Sequence, residues 1–242
     1  MEKYISKKEK ASYGFAAVGS YMVAGITQSY LMYFFTDILI IPSAFVMMLM
    51  IVARAWDALN DSMMGVIVDR TSAKYGKMRP YVLIGSFLML VTTIVLFMPL
   101  TGAPTMFKMI FAAVSYIIFG MAYTLTDVPA MGLMSVATPN SDERASLLSF
   151  YVTVGSVGSL LPVGLLTIFR PFIPEKYVYF AMSIFVGIIT SAAYLTLFKN
   201  SKERFSTHTE KIAVRDMIKA AGKNKPMMLA LLMSMTASPR YL

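Results

Sequence analysis

Cysteine is absent from the 242 residues, and histidine and tryptophan occur once each. No disulfide framework and no thiolate chemistry is available to the chain. A lone histidine, His208, offers no cluster of metal-ligating imidazoles. No paired nucleophile and base and no glycine loop for cradling phosphate is seen either, so the chain does not read as an enzyme. Charge is scarce at 14%, where a soluble domain carries about a quarter. The first twelve residues are basic and polar, and the apolar run after them is long enough to span, which argues against a cleaved signal peptide. What remains is apolar: 57% of residues are hydrophobic and the mean hydropathy is +0.64. That is the composition of an all-α protein crossing a lipid bilayer many times. The net charge of +9 then reflects cytoplasmic loops rather than a nucleic-acid partner.

A spanning helix needs about 20 mostly apolar residues. Six such runs occur, at roughly 12–36, 43–69, 81–99, 108–137, 145–169 and 178–198, and a shorter one at 226–242. If the runs are threaded in turn, 17 of the 22 lysines and arginines fall on one side and three on the other. The positive-inside rule puts the N-terminus in the cytoplasm. The predicted domains are a six-helix bundle over 1–198, a cytoplasmic middle loop over 199–225 and the start of a seventh span over 226–242. Within the loop, 206–222 reads as an amphipathic helix on the membrane surface, with Thr207 and Glu210 as a capping box.

Three acids fall deep within these runs: Asp57, Asp61 and Asp127. Each costs about 2.5–3.5 kcal/mol in the middle of a membrane helix and needs a partner, a cavity or an ion. Asp57 and Asp61 are one turn apart and share a helix face. Asn60 lies beside them, and Arg54 sits three residues before Asp57. Two carboxylates so placed repel unless a positive charge comes between them. Carboxylate, amide and hydroxyl oxygens are hard ligands, so one reading is a site for Na⁺, Li⁺ or H⁺. The other is a structural salt bridge from Arg54 to one aspartate, which leaves the second aspartate and Asn60 unserved.

The fourth run contains "YTLTDVPAMG". Thr124 and Asp127 are three apart, Tyr123 is adjacent, and Thr124 can lend a hydroxyl to the same ion or bond back to its own helix. A carboxylate facing a cavity accepts two hydrogen bonds at once and suits sugar hydroxyls. In the fifth run, Gly155 and Ser159 read as helix packing rather than substrate binding. Trp56 is on a different face from Asp57 and stays ambiguous.

These residues resemble the glycoside–pentoside–hexuronide:cation symporter family of the major facilitator superfamily. The resemblance runs through nearly the whole chain and is densest in "ARAWDALNDSMMGVIVDRTSAKYGKMRPYVLIG". It implies twelve helices in two halves with the substrate between them near the midplane. It also implies roles. Asp57, Asn60, Asp61 and Thr124 match the coupling-cation site. Asp127 and Tyr123 match the sugar site, which Tyr21 and Met131 would also line. Gly65, Asp69, Arg70, Lys77 and Arg79 match the cytoplasmic gate, and Arg54 is the ion-pair candidate of helix two. Three positions depart from galactoside carriers: Ser20 and Tyr21 replace a lysine–aspartate pair, Met131 a tryptophan and Val152 an arginine. A β-glucoside, pentoside, glucuronide or a compound outside the glycosides fits equally. The resemblance thus implies cation-coupled symport by a chain truncated within helix seven, with no cofactor other than the coupling ion. The alternatives are a lipid or lysolipid carrier of the same fold and a non-transporting degenerate half-protein.

Overall fold

The computed structural model describes residues 4–71 and 76–205, without the side chains of Ala58, Leu59, Ser62, Val66, Asp69 and Arg70. The expected surface helix with Thr207, His208 and Glu210 and the start of a seventh span with Arg240 lie outside the described residues, as do the gate side chains of Asp69 and Arg70.

Among the described residues every regular element is helical. Six α-helices run α1 Lys7–Tyr33, α2 Ser43–Arg70, α3 Arg79–Leu96, α4 Thr105–Ala137, α5 Ser141–Phe169 and α6 Glu175–Asn200, with a π-helix, Phe34–Ile38, extending α1. Their ends follow local chemistry. Ser6 caps α1 by accepting from the Glu9 amide, and Asn140 caps α5 by accepting from Asp142 and Glu143, each filling an otherwise orphaned donor. Pro42, Pro104 and Pro174 stand just before α2, α4 and α6, where a missing amide hydrogen costs nothing. Pro129 and Pro162 lie inside α4 and α5 without ending either.

Four of these helices, α3 to α6, are long and apolar enough to cross a membrane. The first two have the length but a heavier polar load. The middle of α1 carries Gly, Ser, Thr, Gln and Tyr, and α2 carries Arg54, Asp57, Asn60 and Asp61.

Helix α1 packs against α5 and α6, α3 against α4 and α6, and α2 against α4. Gly25 lies against the backbone of Ser159, so α1 and α5 meet closely along the stretch read as a packing face. Two apolar clusters fill the core. One gathers Met22, Phe34, Phe35, Phe97 and Val178 near the π-helix. The other gathers Tyr13, Ala17, Val82, Leu133 and Leu197 near the start of α1. In α1, Ser20 and Tyr21 fall between the two. The polar neighbourhood described next sits in that gap.

Candidate functional site

Helices α2 and α4 run in parallel register, because Asp57 faces Gly120 and Asp61 faces Thr124, four residues further along each helix. The Thr124 hydroxyl donates to Asp61 Oδ1 at 2.8 Å. Thr124 is buried while Asp61 is exposed. Between them lie the end of α2, all of α3 and the first part of α4, so tertiary packing alone makes this pair. Gly120 has a steric reason: a Cβ there would come 2.9 Å from Asp57 Oδ1. Asn60 is half-buried, and its buried Nδ2 has no hydrogen-bond partner among the described residues. Arg54 is exposed and makes no ion pair with Asp57 or Asp61 among the described residues. Two carboxylates and one hydroxyl thus meet at the α2–α4 seam.

Asp127, three residues beyond Thr124 on a neighbouring part of the same α4 face, reaches α1 and α6 rather than α2. Ser20 of α1 donates to Asp127 Oδ1 at 2.9 Å, and Tyr194 of α6 approaches the same oxygen at 3.5 Å. The Tyr123 hydroxyl lies 3.1 Å from Ser20 Oγ. Tyr151 of α5 is fully buried here, and Tyr21 packs edge-on against it with ring centroids 6.3 Å apart. Met131 is half-buried against the same apolar cluster as Tyr151 and Tyr194. Among the described residues every donor to Asp127 is a neutral hydroxyl. A carboxylate held this way keeps acceptor capacity for a polyhydroxylated ligand.

Of the residues expected at the site, Asp57, Asp61 and Thr124 meet at the α2–α4 seam, Asp127 and Tyr123 gather round Ser20, Tyr21 packs on Tyr151, Met131 lies against the cluster that holds Tyr151, and Asn60 makes no hydrogen bond through Nδ2 among the described residues. Sequence reasoning missed Tyr151 and Tyr194, which carry no local signal within apolar runs. Ser20 was noticed only as a departure. Lys77 and Arg79, expected at a gate, lie apart, at the end of the bundle where α1 begins. Lys77 and Arg79 offer their backbone amides to Glu203. The Arg79 guanidinium donates to the Phe198 carbonyl at 2.7 Å and stacks over that ring. Gly65 faces open space: an added Cβ would meet nothing within 4 Å.

A family model described as MFS/sugar transport protein matches residues 12–241. The chain belongs to this family. The resemblance to glycoside–pentoside–hexuronide symporters therefore holds, and the family is one of membrane transporters and not of enzymes. The chain is 32% identical to an uncharacterized symporter, YjmB, of Bacillus subtilis (strain 168), over 99% of this chain and 53% of that protein. It is 34% identical to the inner membrane symporter YicJ of Escherichia coli (strain K12), over 65% of this chain and 34% of that one. It is 26% identical to the isoprimeverose transporter of Lactiplantibacillus pentosus, over 92% and 48%. The chain spans about half the length of the curated relatives it matches along most of its own.

Proposed function

We propose that this chain forms the N-terminal half of a cation-coupled symporter for a sugar or glycoside, working by alternating access. The observation that carries the reading is the set of acids around α4. Asp61 and Asp127 accept from hydroxyls, Asp57 accepts no hydrogen bond, and none of the three makes an ion pair among the described residues. Carboxylates in hydrocarbon are tolerated where an ion or a cavity serves them. Na⁺, Li⁺ or H⁺ comes to rest among Asp57, Asn60, Asp61 and Thr124. The sugar binds Asp127 and Tyr123 and packs on Tyr21 and Met131. The two groups meet on α4, where Thr124 and Asp127 are three residues, about one turn, apart. A cation that relieves repulsion on α2 therefore steadies the face that presents Asp127. Cation and sugar then raise each other's affinity by one common factor.

In this reading all six helices cross the membrane, with the basic end in the cytoplasm. The middle loop and seventh span expected of 199–225 and 226–242 lie outside the described residues from 206 onward. The gate residues Gly65, Asp69, Arg70, Lys77 and Arg79 lie at the cytoplasmic end. The second half of the transporter closes over the substrate.

The test is uptake by the full-length transporter of a panel of radiolabelled glycosides, with and without Na⁺ and at several pH values. Ion-dependent uptake is expected, and Asp61→Asn should abolish that dependence. Ion-driven uptake that survives Asp61→Asn sinks the assigned cation site.

A further inference from the structure

The basic end of the bundle contains an arrangement that the cation and sugar sites do not use. The five residues after α6, "SKERF" at 201–205, do not leave the bundle but run across the ends of three other helices. The Glu203 carboxylate accepts from the backbone amides of Lys77 at 2.8 Å, Met78 at 2.8 Å and Arg79 at 3.0 Å. These are donors at the start of α3, where the helix dipole favours a negative charge. Met78, at the N-cap position, makes no side-chain cap, and among the described residues the cap comes from 124 residues further along the chain. Gly76 adopts a φ of +101°, and a Cβ there would run into the Glu203 carboxylate. The glycine is therefore required twice, for its backbone conformation and for the carboxylate's approach.

The neighbouring residue locks the same segment to two more helices. Arg204 pairs with Glu9 of α1 through two hydrogen bonds of 2.7 and 2.9 Å. Glu9 is only 1% exposed, and it holds the Arg204 guanidinium above its usual range through that hydrogen bond. The amides of Arg204 and Phe205 donate to the Val136 carbonyl near the end of α4. Arg79, freshly capped, donates back to Phe198 of α6. The exit of α6 is thus fastened to α1, α3 and α4 at once.

We propose that Glu203 is a positioning residue for transport. Resting on the alternating-access reading above, it fixes the turn Gly76–Arg79 to the exit of α6, so that the basic ends of α1, α3, α4 and α6 move as one body during the conformational step. It touches neither cation nor sugar. Its loss should slow turnover and leave ligand affinity alone, as for residues that set a closure rate.

The experiment uses the full-length transporter in proteoliposomes. Glu203→Gln keeps size and one acceptor, Glu203→Ala removes the cap, and Glu203→Asp keeps the charge. Maximal uptake is expected to fall by about tenfold in Glu203→Ala, by less in Glu203→Gln, and to recover partly in Glu203→Asp, with KM within about twofold of wild type. Hydrogen exchange of the peptide covering residues 76–81 should quicken in Glu203→Ala, whether or not a transported substrate is in hand. Gly76→Ala should cost less uptake in a Glu203→Ala background than alone, because the clash has been removed. An unchanged exchange rate overturns the cap. Faster exchange with unchanged maximal uptake, a KM that rises as uptake falls, or additive effects of the two substitutions overturn the positioning role. Absence of any ion-driven uptake in the wild type tells against the transport reading instead, and the exchange arm still decides the cap.

Discussion

The acids at the basic end and the acids along α4 live in opposite surroundings. Glu9 faces a guanidinium and an amide, Glu203 faces three amides, and Glu143 accepts from the Ile5 amide at 3.1 Å and the Thr138 hydroxyl at 2.6 Å. Each of these carboxylates takes a guanidinium or at least two donors, backbone amides among them. Among the described residues Asp61 and Asp127 take side-chain hydroxyls alone and Asp57 takes no hydrogen bond, although all three lie within apolar helices. Full pairing marks a structural role, because breaking it leaves an uncompensated buried group. Partial pairing marks a place where something else arrives. The same residue type therefore builds scaffold at one end and site in the middle, and its partners tell the two apart.

The largest expected contrast sets Asp61→Asn against Glu9→Leu. Asp61→Asn should remove ion-driven uptake and leave the thermal stability of the cation-free protein unchanged or slightly higher, since it relieves repulsion from Asp57. Glu9→Leu should do the reverse, lowering stability by about 2–3 kcal/mol through the stranded Arg204 while uptake per folded molecule persists. Thermal unfolding in detergent beside uptake per folded transporter checks both, and equal stability losses in the two variants would break the comparison. Ser20→Ala comes next. It strips the best donor from Asp127, a hydrogen bond to a charged acceptor, and should weaken sugar binding by about tenfold with cation affinity in the absence of sugar nearly unchanged. Isothermal titration with each ligand separates these.

Gly120→Ala should be milder. Its Cβ displaces the Asp57 carboxylate by a few tenths of an ångström, and cation affinity should fall by about fivefold, read by sodium titration. The smallest effect is expected from Tyr194→Phe. Its 3.5 Å approach to Asp127 is long for a hydrogen bond, so sugar affinity should change by about twofold or less. A larger loss there would promote Tyr194 to a principal partner of Asp127.

Much of this was legible before any coordinates. The six apolar runs match the six helices to within a few residues, since hydropathy over twenty positions is a local property. Asp57, Asn60 and Asp61 announce themselves because an acid in an apolar run is expensive wherever the helix ends up. Thr124 and Asp127 follow from the same cost and from helical spacing. Tyr151 and Tyr194 were silent, because a tyrosine in an apolar run looks like packing or an interfacial anchor. Glu9, Glu203 and Arg204 were silent too, because charges near helix ends look solvated.

The amino-acid order alone determined which segments are helical, which side carries the positive charge and which turns hold the costly acids. Each of these depends on residues within a helix turn or a span of one another. Only the tertiary structure decided who meets whom. Ser20 reaches Asp127 across 107 residues, Asp61 reaches Thr124 across 63, and Glu203 reaches Met78 across 125. Such pairs arise when apolar faces pack and bring distant backbone together, and no local pattern encodes the register in which those faces come to rest.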